Sequence, residues 1–218
     1  MTTVRGHGIP IALIVALLVA LAAFYLPWVT HSTAGFTMNG FDLAEWASLH
    51  PAVRANTPSM LTSFLLRAPQ VAVAIALALA ANAIADPRWR AVGWAAALLV
   101  ALRYVPPVEF LQSARDDPNY RQMALLTVLG VIGVACAAAL SGFRARWLVA
   151  GAALCGVGGA VAGWAGLSRA GELLDNFEIA TRTGGGPLLY SGAALALVAL
   201  AVWAFRGGDA RRDTKKGD

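Results

Sequence analysis

Residues 147–167 are twenty-one consecutive positions without a charged side chain, and within them Gly151, Cys155, Gly159 and Gly163 recur every fourth residue. A helix needs about 20 apolar residues to cross the hydrocarbon of a bilayer. Small residues four apart share one helix face. In lipid, which gives helices no hydrophobic reason to associate, such a face lets neighbouring backbones approach and gain van der Waals contact. Gly156, Gly158, Ala160, Ala162 and Gly166 widen the smooth surface. The run therefore predicts a buried central transmembrane helix packed on more than one side. Packing of this kind implies no particular activity.

Five more apolar runs accompany it, at 9–29, 68–85, 89–105, 122–140 and 188–205. The third is short and is stopped by Pro106-Pro107, so Trp89 is taken into its beginning. Only 13% of the chain is charged, against about a quarter in soluble domains, and the mean hydropathy is +0.63. The longest interval outside the runs, 30–67, is too short to bury a core of its own. The expected fold is all-α: one polytopic six-span membrane domain over 1–206, followed by a charged tail at 207–218 that lacks apolar residues and is expected to be disordered.

Ala20-Leu21-Ala22 has the small-x-small form of a signal-peptide cleavage site, but the apolar run continues through Phe24, Tyr25 and Leu26, so the first run is read as a span. Phe24-Tyr25-Leu26-Pro27-Trp28-Val29, followed by a glycine-containing loop, resembles the opening of bacterial multi-span membrane proteins. The resemblance covers those residues alone and implies no activity.

The net charge of +5 sits on short turns and the tail beside the spans, which argues against nucleic acid and for orientation. With the N-terminus inside, the inner side carries ten cations (Arg5, Arg88, Arg90, Arg144, Arg146, Arg206, Arg211, Arg212, Lys215 and Lys216) against four acids; the outer side carries seven cations and eight acids. This asymmetry follows the positive-inside rule. It predicts a bacterial cytoplasmic membrane protein with both termini cytoplasmic. All three long loops then lie outside, each expected to carry a short amphipathic helix capping the bundle. In the first, Phe41 or Leu43, Trp46 and Leu49 are assigned to one helix face, with Asp42 and Glu45 on the other. A second short helix is expected from Pro58, and another around residues 172–179.

Ionisable residues at mid-depth usually mark proton relays and ion pathways, and the spans as drawn hold almost none. His7, His31 and His50 lie outside the hydrocarbon, which disfavours membrane haem. Cys136 and Cys155 sit in apolar runs and form no redox motif. Asn82 is the clearest polar side chain within a span, a helix-to-helix hydrogen bonder or a pathway residue. Arg103 is expected to snorkel or to pair with Glu109. His31 and His50, with outer carboxylates, are the only candidates for a metal site, and their spacing fits no motif. No inverted repeat is visible.

These observations predict a non-enzymatic accessory or structural subunit of a membrane assembly. Phe41, Trp46 and Leu49 would meet a membrane-protein partner or a second copy, the bilayer is the other partner, and no cofactor is called for. The alternative is a transporter or permease component for a neutral or lipidic solute.

Overall fold

A computed structural model describes residues 4–31, 35–55 and 57–213, with side chains described from Gly8 to Arg206. The chain is predominantly helical. Its elements are α1 (Val4–Tyr25), β1 (Pro27–His31), β2 (Thr37–Asn39), α2 (Gly40–Leu49), α3 (Pro51–Ala55), α4 (Leu61–Ala81), α5 (Pro87–Ala101), α6 (Glu109–Gln112), α7 (Pro118–Ala139), α8 (Ala145–Asp175), β3 (Thr181–Thr183) and α9 (Gly185–Asp213). Among the described residues, five helices are long and apolar enough to cross a membrane: Gly8–Tyr25 of α1, then α4, α7, α8 and Gly185–Arg206 of α9. They are compatible with a membrane protein. The third apolar run forms α5, 15 residues long and below that length.

The helices run in alternating directions around α4. Tyr25 at the end of α1 reaches Gln70 near the start of α4. Gly166 of α8 lies against Leu66, and Gly151 against Leu79, so α8 is antiparallel to α4. Ser63 and Arg67 of α4 meet Gln122 and Asn119 at the start of α7, while Asn82 meets Ala137 near its end. α4 and α7 are therefore parallel. α5 lies between them and runs back, with Gly93 beside Ala81, and Val100 accepting from Gln70. Every long connection consequently gathers at one end, the cap. The α4–α5 and α7–α8 turns lie at the other, where Trp147 of α8 packs on Phe205 of α9.

The central helix is α4 rather than α8. Across its apolar stretch 72% of the residues are buried, against 39% for α8. The expectation fails because Arg67 and Pro69 interrupt the hydropathy of α4, whereas the glycines of α8 give a smooth surface without requiring burial on all sides. One face of α8 receives α4: a Cβ on Gly166 would stand 2.8 Å from the Leu66 backbone nitrogen. Gly159 and Gly163 lie against the bulge made by Pro69, with a Cβ 3.2 Å from its Cα and 3.1 Å from its Cγ respectively. Leu154 and Val161, on the other side of α8, are exposed. So are Val15 of α1, Ile132 of α7 and Leu195 of α9, an apolar exterior of the kind lipid contact tolerates.

The boundaries differ from the sequence reading where loops fold into the bundle. α1 stops at Tyr25, and Pro27–His31 forms the middle strand of a small antiparallel sheet ordered β2-β1-β3. This sheet, unforeseen in the sequence, stitches the first long loop to the third. Buried Trp28 donates from Nε1 to the Ala23 carbonyl at 3.1 Å and packs on Gly163 and Gly186. α4 begins at Leu61, absorbing the short helix expected from Pro58. α8 continues to Asp175, so the third loop has no separate helix over 172–175. α9 continues to Asp213, and residues 214–218 of the tail lie outside the described residues.

Candidate functional site: a buried arginine beneath the cap

Because α4 begins at Leu61, Arg67 lies inside a helix, about 9 Å from its start at 1.5 Å per residue. Its side chain has no solvent exposure. Taking a guanidinium out of water costs several kcal/mol, roughly, unless a partner charge and hydrogen bonds replace the solvent. Two elements, α2 and α7, supply them. Arg67 Nη2 donates to Glu45 Oε1 of α2 at 2.6 Å and to Asn119 Oδ1 of α7 at 2.7 Å; Nη1 donates to Gln122 Oε1 at 2.8 Å. Asn119 Nδ2 reaches the other Glu45 oxygen at 3.4 Å. Gln122 Nε2 donates to the Met60 carbonyl at 2.8 Å, and the Ser63 hydroxyl lies 2.8 Å from Gln122 Oε1. Tyr104 places its ring 5.9 Å from the guanidinium carbon. Arg67 Nε is buried without a partner.

A second ion pair reinforces the first. Arg54 of α3 donates to Asp117 Oδ2 at 3.3 Å and, through Nε, to the Ser48 carbonyl at 2.9 Å. Asp117 is also the N-cap of α7, accepting from the Asn119 and Tyr120 amides. Glu45–Arg67 and Arg54–Asp117 thus fasten the two cap helices to α4 and α7. Chemically the arrangement is a fastening: the guanidinium is a fixed cation, and its neighbours are amide and carboxylate oxygens already engaged with it.

The helix α2 does not present the predicted face. Gly40, Leu43, Ala44, Ala47 and Ser48 are the residues it buries, and Glu45, assigned to the opposite face from Trp46, reaches Arg67. Phe41 stacks on Tyr104 at 6.1 Å and lies under the Arg103 guanidinium at 4.3 Å, so Arg103 makes a cation–π contact with the cap. Trp46 is partly buried against Val53, Met60 and Leu173. Only Leu49 of the three is freely exposed, at 67%. The structure separates Phe41 from the other two and joins Trp46 and Leu49 to His50, Pro51, Phe177 and Ile179 around an open, largely apolar cleft of about 360 Å³. Phe177 and Ile179 follow α8, a neighbour that spacing along α2 cannot reveal.

His50 Nδ1 accepts from the Ala52 amide at 3.2 Å, and its ring stands 5.3 Å from that of Phe177. His31 closes β1, its amide donating to the Phe36 carbonyl at 2.9 Å. The two histidines belong to different elements, and among the described residues no group of three His, Cys, Asp or Glu is placed to hold a metal. Asn82 sits at the C-cap of α4 rather than within a span. It donates to the Ala137 carbonyl at 2.6 Å and accepts from Trp94 Nε1 at 3.0 Å, clasping α7 and α5. Gly151 faces Leu79; Cys155 packs partly buried on the main core.

Sequence reasoning misses Arg67, Asn119 and Gln122. A signal exists: Ser63, Arg67 and Gln70 recur at i, i+4 and i+7, one polar stripe on an otherwise apolar helix, and Asn119 and Gln122 are one turn apart. Compared with protein-family models, curated proteins and solved structures, the chain matches none.

Proposed function

We propose that the chain is a six-span protein of the bacterial cytoplasmic membrane, with both termini inside, and that it serves as a non-enzymatic accessory or structural subunit of a membrane assembly. The observation that carries this reading is the cap: two helices pinned by the ion pairs Glu45–Arg67 and Arg54–Asp117, with an apolar cleft open on their surface. Such a cap is pre-organised, so little conformational freedom is lost when a partner meets it.

The directions of the helices support six spans. α4 and α7 run parallel, so the chain between them must return across the same thickness. α5 and the 3-10 turn Leu102–Tyr104 supply about 28 Å, close to the roughly 30 Å hydrocarbon core. The cationic turn end then faces the cytoplasm. The permease alternative is weaker because Gly159 and Asn82 are both consumed in helix contacts.

The test is isolation of the native protein in mild detergent with mass analysis of what co-purifies, repeated with Leu49→Lys and Phe177→Lys. Both residues are exposed, so the bundle should fold unchanged. A stoichiometric protein partner lost in the variants supports the reading. A chain that purifies alone, or a partner retained by both variants, removes its main support.

A further inference from the structure

We infer that the groove between α1 and α9 binds one acyl chain of an anionic phospholipid, with Arg206 meeting its phosphate; the inference rests on the membrane-spanning reading above. The groove has a volume of about 670 Å³ and is floored by Ala12 and Ala16 of α1 and Gly192, Ala196 and Ala199 of α9, with Trp203 at one end. A Cβ on Gly192 would meet nothing within 4 Å, so the groove is open at that position.

Its length and apolar lining suit a hydrocarbon chain. Leu189 and Trp203 both line it, fourteen residues apart on one helix, which makes it about 21 Å long. Along that length it is an open trough with an apolar lining. An extended hydrocarbon chain, whose carbons contact their surroundings at about 4 Å, fits. The walls are aliphatic side chains and one indole, so nothing asks the occupant for a hydrogen bond within the groove.

The charge at the end of the groove selects the headgroup. Arg206 is exposed one turn beyond Trp203, on the side of α9 that lines the groove. Trp203 is 55% exposed, in keeping with the level at which indoles meet headgroups. Arg88, Arg90, Arg144 and Arg146 occupy the same end of the bundle, with Asp86 among them, and the helix that carries Arg206 continues through Asp209 and Asp213. An anionic phosphate is the complement of that end.

The experiment uses the full chain. Alkaline carbonate washing of the membranes comes first; release of the chain there overturns the membrane reading and this site with it. If the chain stays in the pellet, the purified protein is titrated in detergent with phosphatidylglycerol or phosphatidylcholine of identical acyl chains, and retained lipid is counted by native mass spectrometry. One phosphatidylglycerol should be retained, with a preference of about five-fold over phosphatidylcholine. Arg206→Gln should keep one lipid and lose the preference. Ala196→Leu and Gly192→Leu, which fill the groove from exposed positions, should lose the lipid of either headgroup while helicity and size are unchanged. Equal lipid retention by the filled variants overturns the groove. Equal affinity for the two headgroups overturns the role of Arg206. A changed oligomeric state with unchanged lipid assigns the groove to another helix and overturns the proposal.

Discussion

Arg67 Nη2 lies 2.6 Å from Glu45 Oε1, joining a guanidinium with no solvent exposure to a carboxylate that keeps 33% of its side chain in solvent. The two ends of this pair are not equivalent. If Arg67 is removed, Glu45 can hydrate through its open side. If Glu45 is removed, Arg67 stays buried with amide oxygens and no countercharge.

Glu45→Ala should therefore destabilise the protein more than Arg67→Met. Breaking a buried pair costs about 3–5 kcal/mol, and the partial exposure of Glu45 brings the expected loss to about 2–3 kcal/mol, below that range. Arg67→Met fills most of the volume and leaves Gln122 Oε1 with the Ser63 hydroxyl. The double variant should be more stable than Glu45→Ala alone. Thermal unfolding in detergent checks the order. Equal losses for the two single variants would contradict the burial argument.

The glycines of α8 allow a comparison at fixed chemistry. At Gly166 a Cβ would stand 2.8 Å from the Leu66 nitrogen and 3.1 Å from the Leu65 carbonyl carbon, backbone atoms that cannot rotate aside. At Gly158 it would meet nothing within 4 Å. Gly166→Ala should destabilise by about 1–3 kcal/mol through overpacking. Gly158→Ala should be neutral or gain up to about 1 kcal/mol from helix propensity. The melting temperatures should move in opposite directions. A parallel shift would show that the stripe does not pack as described.

The contrast between Gly166 and Arg67 separates what a sequence conveys from what it hides. Small residues at a period of four are a local pattern, so close packing along α8 is legible in the spacing alone. Which helix becomes central is a property of the whole assembly: α4 is central because α1, α2, α5, α7 and α8 all pack on it, and its Arg67 disguises that by shortening the apparent span to 68–85. The same misplacement hides the candidate site. With Arg67 assigned to a loop, Glu45 has no buried partner and falls to solvent, and the sheet pairing Val29 with Thr183 joins residues too distant in the chain for spacing to connect. The cap cleft is hidden likewise, since Phe177 reaches Trp46 only through the tertiary fold.

Asn82 makes a further prediction, because its two hydrogen bonds bind three helices at the turn end. Polar contacts in membrane bundles average about 0.6 kcal/mol each, so Asn82→Ala should cost about 1 kcal/mol. Trp94→Phe removes only the bond to Asn82 Oδ1 and should cost about half as much. Since that bond is common to both changes, the double variant should lose less than the sum. Strict additivity in unfolding measurements would mean that the Asn82–Trp94 bond carries no energy.

The direction of α5 decides the number of spans, and single cysteines can read it. In a background with Cys136 and Cys155 replaced by alanine, exposed positions Asp42, Asp116 and Glu178 mark the cap, and Arg88 and Ser141 mark the two turns. If α5 crosses, a membrane-impermeant maleimide applied to spheroplasts should label cysteine at the three cap positions and leave the turns unlabelled until the membrane is opened. The informative pair is Arg88 and Asp116, at opposite ends of the segment containing α5. The parallel course of α4 and α7 puts these two positions at opposite ends of the bundle, and the six-span reading puts them on opposite sides of the membrane. Labelling of both from the same side would mean that α5 does not cross, and would overturn the six-span reading together with the placement of the cap outside.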